Sequence, residues 1–558
     1  MIFLTRWCIT CAIFLPVVTP VIAQPRIFFS DLESGPKSGG EKNSGAFVTL
    51  YGKRFGATRG QSSITVGGGP VAAYPLWTDT KIVLQLGAAA ATGDIVVTTL
   101  SGRSNTTPFA VRPGQIYFVS TTGNDRDNGS FASPWRTVLK ARDTMLPGDI
   151  TYAMDGVGQV TDDGQSWAAA FTLRPDRCGG ESPRALIAYP GATVTIGSLT
   201  GPPHAIRGVD PSASGGACSG SWVFAGLILR GQTSINLWGP SKNWRVVGND
   251  MSCPEGDGPT ACAATALASD IKFLGNRVHN VGRAGASALY QGVYFGTDSN
   301  NVELGWNTIS EVRGCRGVQV YSHPLGSVAP DSGRNQFGFS IHDNLIHDTQ
   351  CDGIVLYTVD PSKGKVEIYN NIIYNAGTGN TPERTGNWSC IMIVGTTNYG
   401  DPGGGTVELF NNTVYNCGIN PNPPYGRSVT AIGYAGSNPK LYVRLLDNIV
   451  YQPPGVPYLT VLGLASGVRG SHNLFFGNGA VPSNSTLTSS LNTDPQFVNL
   501  GQYDFHLTVN SPARHFGIET SATADYDGLR RGGDAGFDLG ALQFTERHSE
   551  NMRPPRGR

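Results

Sequence analysis

The sequence predicts an all-β protein: a parallel β-helix preceded by a small β-sandwich. Two observations carry this. Seven times from Asn249 to Asn448 a short apolar strand runs into an asparagine, usually followed by more apolar residues: WRVVGNDM, IKFLGNRV, VELGWNTI, FSIHDNLI, VEIYNNII, VELFNNTV and VRLLDNIV, with a weaker eighth copy, VRGSHNLF. The asparagines are Asn249, Asn276, Asn307, Asn344, Asn371, Asn412, Asn448 and Asn473, between 25 and 41 residues apart. One fixed corner with elastic intervals describes a solenoid whose loops vary while its strands stay stacked. Asparagine tolerates the left-handed backbone of a sharp corner, and its amide can bond to those above and below. The second observation is composition: 74 Gly and 36 Pro fit many turns and few long helices.

The elements follow in chain order. Residues 1–23 (MIFLTRWCITCAIFLPVVTPVIA) have one Arg before an apolar run and a small-residue end, the pattern of a secretory signal peptide. Pro16 and Pro20 break the run, and no later stretch is long and apolar enough to span a bilayer. A secreted, periplasmic or cell-surface protein without membrane insertion is expected. Eight cysteines then remain for an oxidising compartment. Cys253 and Cys262 bracket a Pro/Gly loop and are expected to close it. Cys178 and Cys218 are the next neighbours. Cys315 and Cys351 each lie two residues before the Gly of an equivalent strand, so they should stack on adjacent coils, as a disulfide or as buried thiols.

Residues 25–112 read as short alternating strands (AFVTLYGKRFG, SSITVGG, KIVLQL, GDIVVTTLSG, PFAVR) with Gly-rich turns. Their order, with Gly52, Phe55-Gly56, Gly67-Gly68-Gly69 and Trp77, resembles the IPT/TIG immunoglobulin-like module, which implies a spacer or interaction domain. From Ile116 a strand, a loop and an amphipathic helix (Val138, Leu139, Arg142, Met145) read as the first turn and end cap of the solenoid, covering strand edges that would otherwise aggregate. Asp125, Asp127 and Asn128 look like part of a calcium loop, but no bidentate Glu follows, and turn capping is the expected role.

This opening, the repeats and the ending DPQFVN, DFHLTVNSPA, DYDG and DAGFDLGALQF together resemble secreted bacterial right-handed β-helix proteins of the pectate-lyase-like superfamily over residues 116–544. The resemblance implies a polysaccharide-active protein. It stops short of the superfamily's known active sites: GHG, RIK and DPHE are missing. The tail 545–558 is polar and expected to be disordered.

Lys+Arg and Asp+Glu are both 41, so no net field points to nucleic acid or an anionic membrane. Several coils carry a second alignable strand: GVYFGTDSN, GVQVYSHP, GIVLYTVD and CIMIVGTTN. Alternation turns Tyr294, Gln319, Val355 and Met392 outward, with Gly296, Tyr321, Tyr357 and Val394 in the next outward column. Asp298 and His323 follow at the strand exits, while Arg313, Arg316 and Asp352 occupy the preceding corners. Such a face suits an acidic polysaccharide: rings stack on sugars, and arginines pair with uronate carboxylates. β-Elimination needs a neutralised carboxylate, a base and an acid. The expected catalytic set is His323, Tyr321, Arg316 and Lys363, with Arg313, Gln319, Tyr294, Tyr357 and Asp352 binding substrate. A glycoside hydrolase would instead need two carboxylates about 5–9.5 Å apart, from among Asp298, Asp352, Asp360 and Glu383. A non-catalytic glycan-binding or adhesion protein is the third reading. His342, Asp343, His347 and Asp348 look metal-like, yet the next copy has Tyr369, Asn370, Tyr374 and Asn375 there, so corner packing is expected. Asn370-Asn371 and Asn411-Asn412 are expected to be ladder residues. No cofactor is expected with certainty, calcium stays open, and a monomer is expected.

Overall fold

The computed structural model describes residues 23–165, 168–173, 182–208, 220–379, 388–395, 403–419, 430–436, 438–463, 467–480, 486–532 and 536–546. Residues 1–22 of the segment 1–23 expected to be a signal peptide, together with Cys178, Cys218 and Glu383, lie outside them.

The solenoid is a parallel β-helix with three faces, two of them joined in one 21-stranded sheet and the third an 11-stranded sheet. Each coil contributes a strand that enters the asparagine corner, such as Val366–Tyr369, and one that leaves it, such as Ile372–Ala376. A third strand follows the long loop, such as Ile391–Gly395. We call these the leading, trailing and loop sheets. All three pair in parallel register from coil to coil, as in Val366↔Val407, Ile372↔Thr413 and Ile391↔Ile432. Two long strands, Thr233–Val247 and Ala261–Leu274, bend from the loop sheet into the leading sheet, with a register shift between Trp238 and Ser241. One apolar core runs down the inside, from Val119 to Phe475. At its start, strand Ile116–Val119 pairs with Ile150–Ala153, and the helix Val138–Thr144 buries Val138 and Ala141 against the first coils. Asp125 caps the turn beside it, accepting from the N–H of Arg136 and from the N–H and hydroxyl of Thr137.

The ladder explains why asparagine marks the corner. Asn276 Oδ1 accepts from both the N–H and Nδ2 of Asn249 at 3.0 Å, while its own Nδ2 donates to the Val246 carbonyl at 2.8 Å. Asn307, Asn344, Asn371, Asn412, Asn448 and Asn473 repeat the pattern. Each amide is buried, so each of its bonds replaces one to water that is no longer available. The residue just before each ladder Asn is left-handed in every coil, with φ between 51° and 62° at Gly248, Gly275, Trp306, Asp343, Asn370, Asn411, Asp447 and His472. Asn370 and Asn411 therefore stand outside the ladder. The expectation that both members of each Asn pair belong to it is corrected: only the second does.

The metal-like cluster proves to be stacked corner columns. His342 stacks on Tyr369 at 4.9 Å and His347 on Tyr374 at 4.8 Å, while Asn370 and Asn375 donate to Asp343 and Asp348 at 3.2 and 3.1 Å. Disulfides join Cys253–Cys262 and Cys315–Cys351, as the spacing suggested, and also Cys390–Cys417, which it did not.

Two segments cover the outside of the solenoid. The N-terminal module has two sheets, one built on Arg26–Ser30, Phe47–Lys53 and Lys81–Gln85, the other on Ser63–Val66, Gly93–Thr99 and Thr107–Val111. It is docked, not strung on a linker. Its core is continuous with Ile150, Ile187, Val223, Val247 and Leu274 on the outer face of the leading sheet. Tyr152 donates to the Phe47 carbonyl at 2.8 Å, and Arg245 donates to the Asp31 carbonyl and pairs with Glu33. The C-terminal residues 497–532 and 536–546 return along the trailing sheet, where Phe505 and Leu542 pack on Ile372 and Tyr374, and Leu507 and Leu539 on Ile449 and Leu474. Asp527 pairs with Lys53, and its carbonyl accepts from Arg54, tying this strap to the module.

Candidate functional site

With the trailing sheet strapped and the first coils of the leading sheet covered, the loop sheet presents the expected face. Its strands Gln291–Phe295, Val318–Val320, Ile354–Leu356 and Ile391–Gly395 align Tyr294, Gln319, Val355 and Met392 in one column. Tyr294, Tyr321, His323 and Tyr357 are half-buried, whereas Val355 and Met392 are fully buried although they point away from the core.

Beneath the rings lies a second column, at the strand entries. Gln291 Oε1 accepts from the backbone N–H of Arg316 at 2.9 Å. The Arg316 guanidinium, 3% exposed, faces Asp352 at 3.5 Å. It donates to Gln319 Oε1 at 2.9 Å and to the Tyr357 hydroxyl at 3.0 Å. Asp352, fully buried, also accepts from the Ser389 hydroxyl at 2.6 Å. A buried ion pair is sustained only when its remaining polar atoms find partners, and Gln319, Tyr357 and Ser389 supply them.

Above this column, Tyr321 stacks on His323 at 5.7 Å with 24° between the rings, and meets Tyr357 edge-on at 5.5 Å. Tyr294 donates to the Tyr321 carbonyl at 3.2 Å, and Thr297 donates to the His323 carbonyl at 2.8 Å. Burial holds the His323 imidazole below its ordinary range, so it is neutral at neutral pH. Gln336 fixes the strand ends by donating to the carbonyls of Phe295, Gly296 and Ser299 and accepting from Thr358.

The residues expected from sequence thus separate. Arg316, Asp352, Gln319, Tyr357, Tyr321, His323 and Tyr294 form one connected group. Arg313 stands exposed on the turn, its backbone N–H on the Val281 carbonyl. Lys363 pairs with Asp360 at 3.2 Å on the turn after Ile354–Leu356. Ser389, Gln291 and Thr297 were not expected. The aligned glycines carried the signal for two of them: Gln291, Arg316, Asp352 and Ser389 each precede the same position of their strand.

The other carboxylates are held by neighbours. Asp298 accepts from Ser322 Oγ and the Arg334 N–H at 3.0 and 2.8 Å, and burial pushes its pKa up against those bonds. Asp360 accepts from Ser362 and the Gly404 N–H; burial would raise its pKa, but these bonds and Lys363 outweigh it and hold it below the usual range. Among the described residues no group of three or more His, Cys, Asp or Glu side chains is arranged to hold a metal ion, and no helix is long and apolar enough to cross a membrane.

Comparison with known proteins matches residues 34–111 to the IPT/TIG domain. No curated protein matches the chain. Several solved structures are similar to it. Pectate lyase Pel9A is 14% identical, with 78% of this chain and 97% of that one covered, at a TM-score of 0.39. XylC, solved with xylose, is 10% identical over 77% and 98%, at 0.42. The family 28 exopolygalacturonase of Yersinia enterocolitica is 11% identical over 85% and 97%, at 0.34.

Proposed function

We propose that this protein is a secreted polysaccharide-degrading enzyme, a lyase that cleaves a uronic-acid-containing chain by β-elimination on the loop sheet. One observation carries the reading. The described carboxylates that a hydrolase would use are tied by ion pairs or hydrogen bonds, whereas a neutral, half-buried imidazole is stacked on Tyr321, which in turn meets Tyr357 edge-on.

In this mechanism His323 takes the C5 proton and Tyr321 protonates the departing C4 oxygen. The C5–H and C4–O bonds break, the C4–C5 double bond forms, and the chain is cut without water. Tyr294 and Tyr357 offer rings for sugar stacking. Arg316, buried beneath the rings, acts on the uronate carboxylate through the Tyr357 hydroxyl it holds. Exposed Arg313 is a direct carboxylate partner, and Lys363 is the alternative base once released from Asp360. A neutral base implies that activity falls as pH drops through the depressed His323 pKa.

Asp298 favours a second reading. Its carboxyl, raised by burial, is suited to donate a proton in a hydrolase. The deciding experiment incubates the full chain with acidic and neutral polysaccharides, with calcium and with chelator, and follows ultraviolet absorbance and reducing ends together. Both signals mean lyase, reducing ends alone mean hydrolase, and neither leaves glycan binding.

A further inference from the structure

The outer face of the leading sheet carries a long groove beyond the docked module. A cavity of about 960 Å³ is lined by Glu33 of the module and by Asn243, Asn301, Trp306 and Ser340 of the solenoid. A second, of about 710 Å³, lies between Lys365, Thr406, Arg444 and the strap residue Ser521. Strand Val366–Tyr369 lines both, so they run in line along the solenoid axis.

The floor is a single file of outward side chains, one per coil. Register places Arg245, Lys272, Glu303, Ser340, Glu367 and Glu408 in that order, about 4.8 Å apart, the spacing of neighbouring strands. A row of donors and acceptors in single file matches an elongated ligand.

Most of its charges are satisfied from within, and of the remaining lining carboxylates, Asp270 and Glu519, Asp270 accepts from the Asn301 amide. Glu33 takes both Arg245 and Lys272, Glu303 faces Lys272 and His342, Lys365 pairs with Glu367, and Arg444 with Glu408. A lining of mostly paired charges with a small acidic excess disfavours a polyanion and offers no strong field to a polycation. Hydroxyls and amides stand among the pairs: Ser34, Asn243, Asn301, Ser340 and Thr406. The floor strands are hydrogen-bonded on both sides, so a peptide cannot add to them as a further strand.

We propose that this groove is a second glycan-binding site, which holds an uncharged, hydroxyl-rich chain lengthwise along the solenoid. It is independent of the loop-sheet reading, since the two sites lie on different faces.

The test is calorimetric titration and affinity electrophoresis of the full chain with uncharged xylan, mannan, glucan and galactan and their oligosaccharides. At least one should bind the wild type. Ser340→Trp, which fills the middle of the floor, should weaken that binding at least tenfold. Asn301→Gly, which keeps the left-handed turn (φ 54°) and removes only the amide, should weaken it several-fold. His323→Ala should leave it unchanged. Should Ser340→Trp fail to fold, Asn301→Gly decides alone. The proposal is overturned if none of these glycans binds, if binding survives the groove substitutions in folded protein, or if it is lost with His323→Ala. Groove-dependent binding of an uncharged glycan by a protein that cleaves no uronate polymer would uphold this site and overturn the lyase reading.

Discussion

The residue before the ladder asparagine is left-handed in every repeated coil, yet its identity divides the solenoid in two. In the early coils it is Gly248 and Gly275. A Cβ there would lie 2.3 Å from the Tyr51 hydroxyl oxygen and 2.4 Å from Phe29 Cζ, both on the docked module. The next coil has Trp306, which stacks on Phe28 at 5.6 Å and closes the edge of that interface. In the later coils the position is polar; Asp343 bonds to His342 and Asn370, and the positions after it reach the C-terminal strap. Asn370 donates to the Ala524 carbonyl and accepts from Arg531, Asn411 accepts from Thr520, and Asp447 accepts from the Ile518 N–H. One strained position therefore serves two purposes. Glycine makes room for a foreign sheet, while Asp and Asn, which tolerate the left-handed region best among side-chain-bearing residues, reach out to hold a strap.

That contrast can be broken at either end. Gly275→Val adds a β-branched side chain at φ 61° against Phe29. Left-handed strain and overpacking together should cost roughly 2–5 kcal/mol. Thermal unfolding, together with faster proteolysis between the module and the solenoid, would register it. Asn371→Leu, inside the ladder, should cost roughly 1–3 kcal/mol through the amide partners it leaves unsatisfied, and Asn370→Gly, one residue earlier, distinctly less. Equal losses in denaturant titrations of the two would erase the distinction between ladder and strap positions.

Asp447→Asn should act in the opposite direction. Burial pushes the Asp447 carboxyl up to about 7, and its Oδ1 has no partner. A carboxyl whose folded pKa is raised contributes stability below its unfolded pKa near 3.8 and loses it as pH rises through 7. The amide should therefore stabilise the protein at pH 8 by on the order of 1 kcal/mol and change little at pH 4. Asp525, also raised to about 7 by burial, keeps part of the wild-type slope. A substitution that destabilises equally at both pH values would contradict the protonated state of Asp447.

The strands, the ladder and the order of the two domains were legible because they repeat: the same apolar-Asn string recurs, and alternation fixes which side chains face out. The docking was not. Gly248 and Gly275 stand in plain view in WRVVGNDM and IKFLGNRV, but their meaning depends on Tyr51 and Phe29, some 200 residues away in the sequence. Cys417 was missed because it follows a trailing strand, outside the column that aligned Cys390 with Gly353. At the site, alignment grouped the outward rings. It could not show that Arg316 lies under them, already facing Asp352, because burial of a corner residue depends on the loops folded over it.

The most direct test of the functional account is the turnover of His323→Ala and Tyr321→Phe on a uronate polymer that the wild type cleaves, with folding checked by circular dichroism. Both side chains point away from the core, so the fold should survive. Each substitution should lower turnover by about 10²–10⁴-fold, the usual worth of a positioned acid or base. Wild-type turnover in both variants would contradict the account and move the chemistry off the Tyr321–His323 pair.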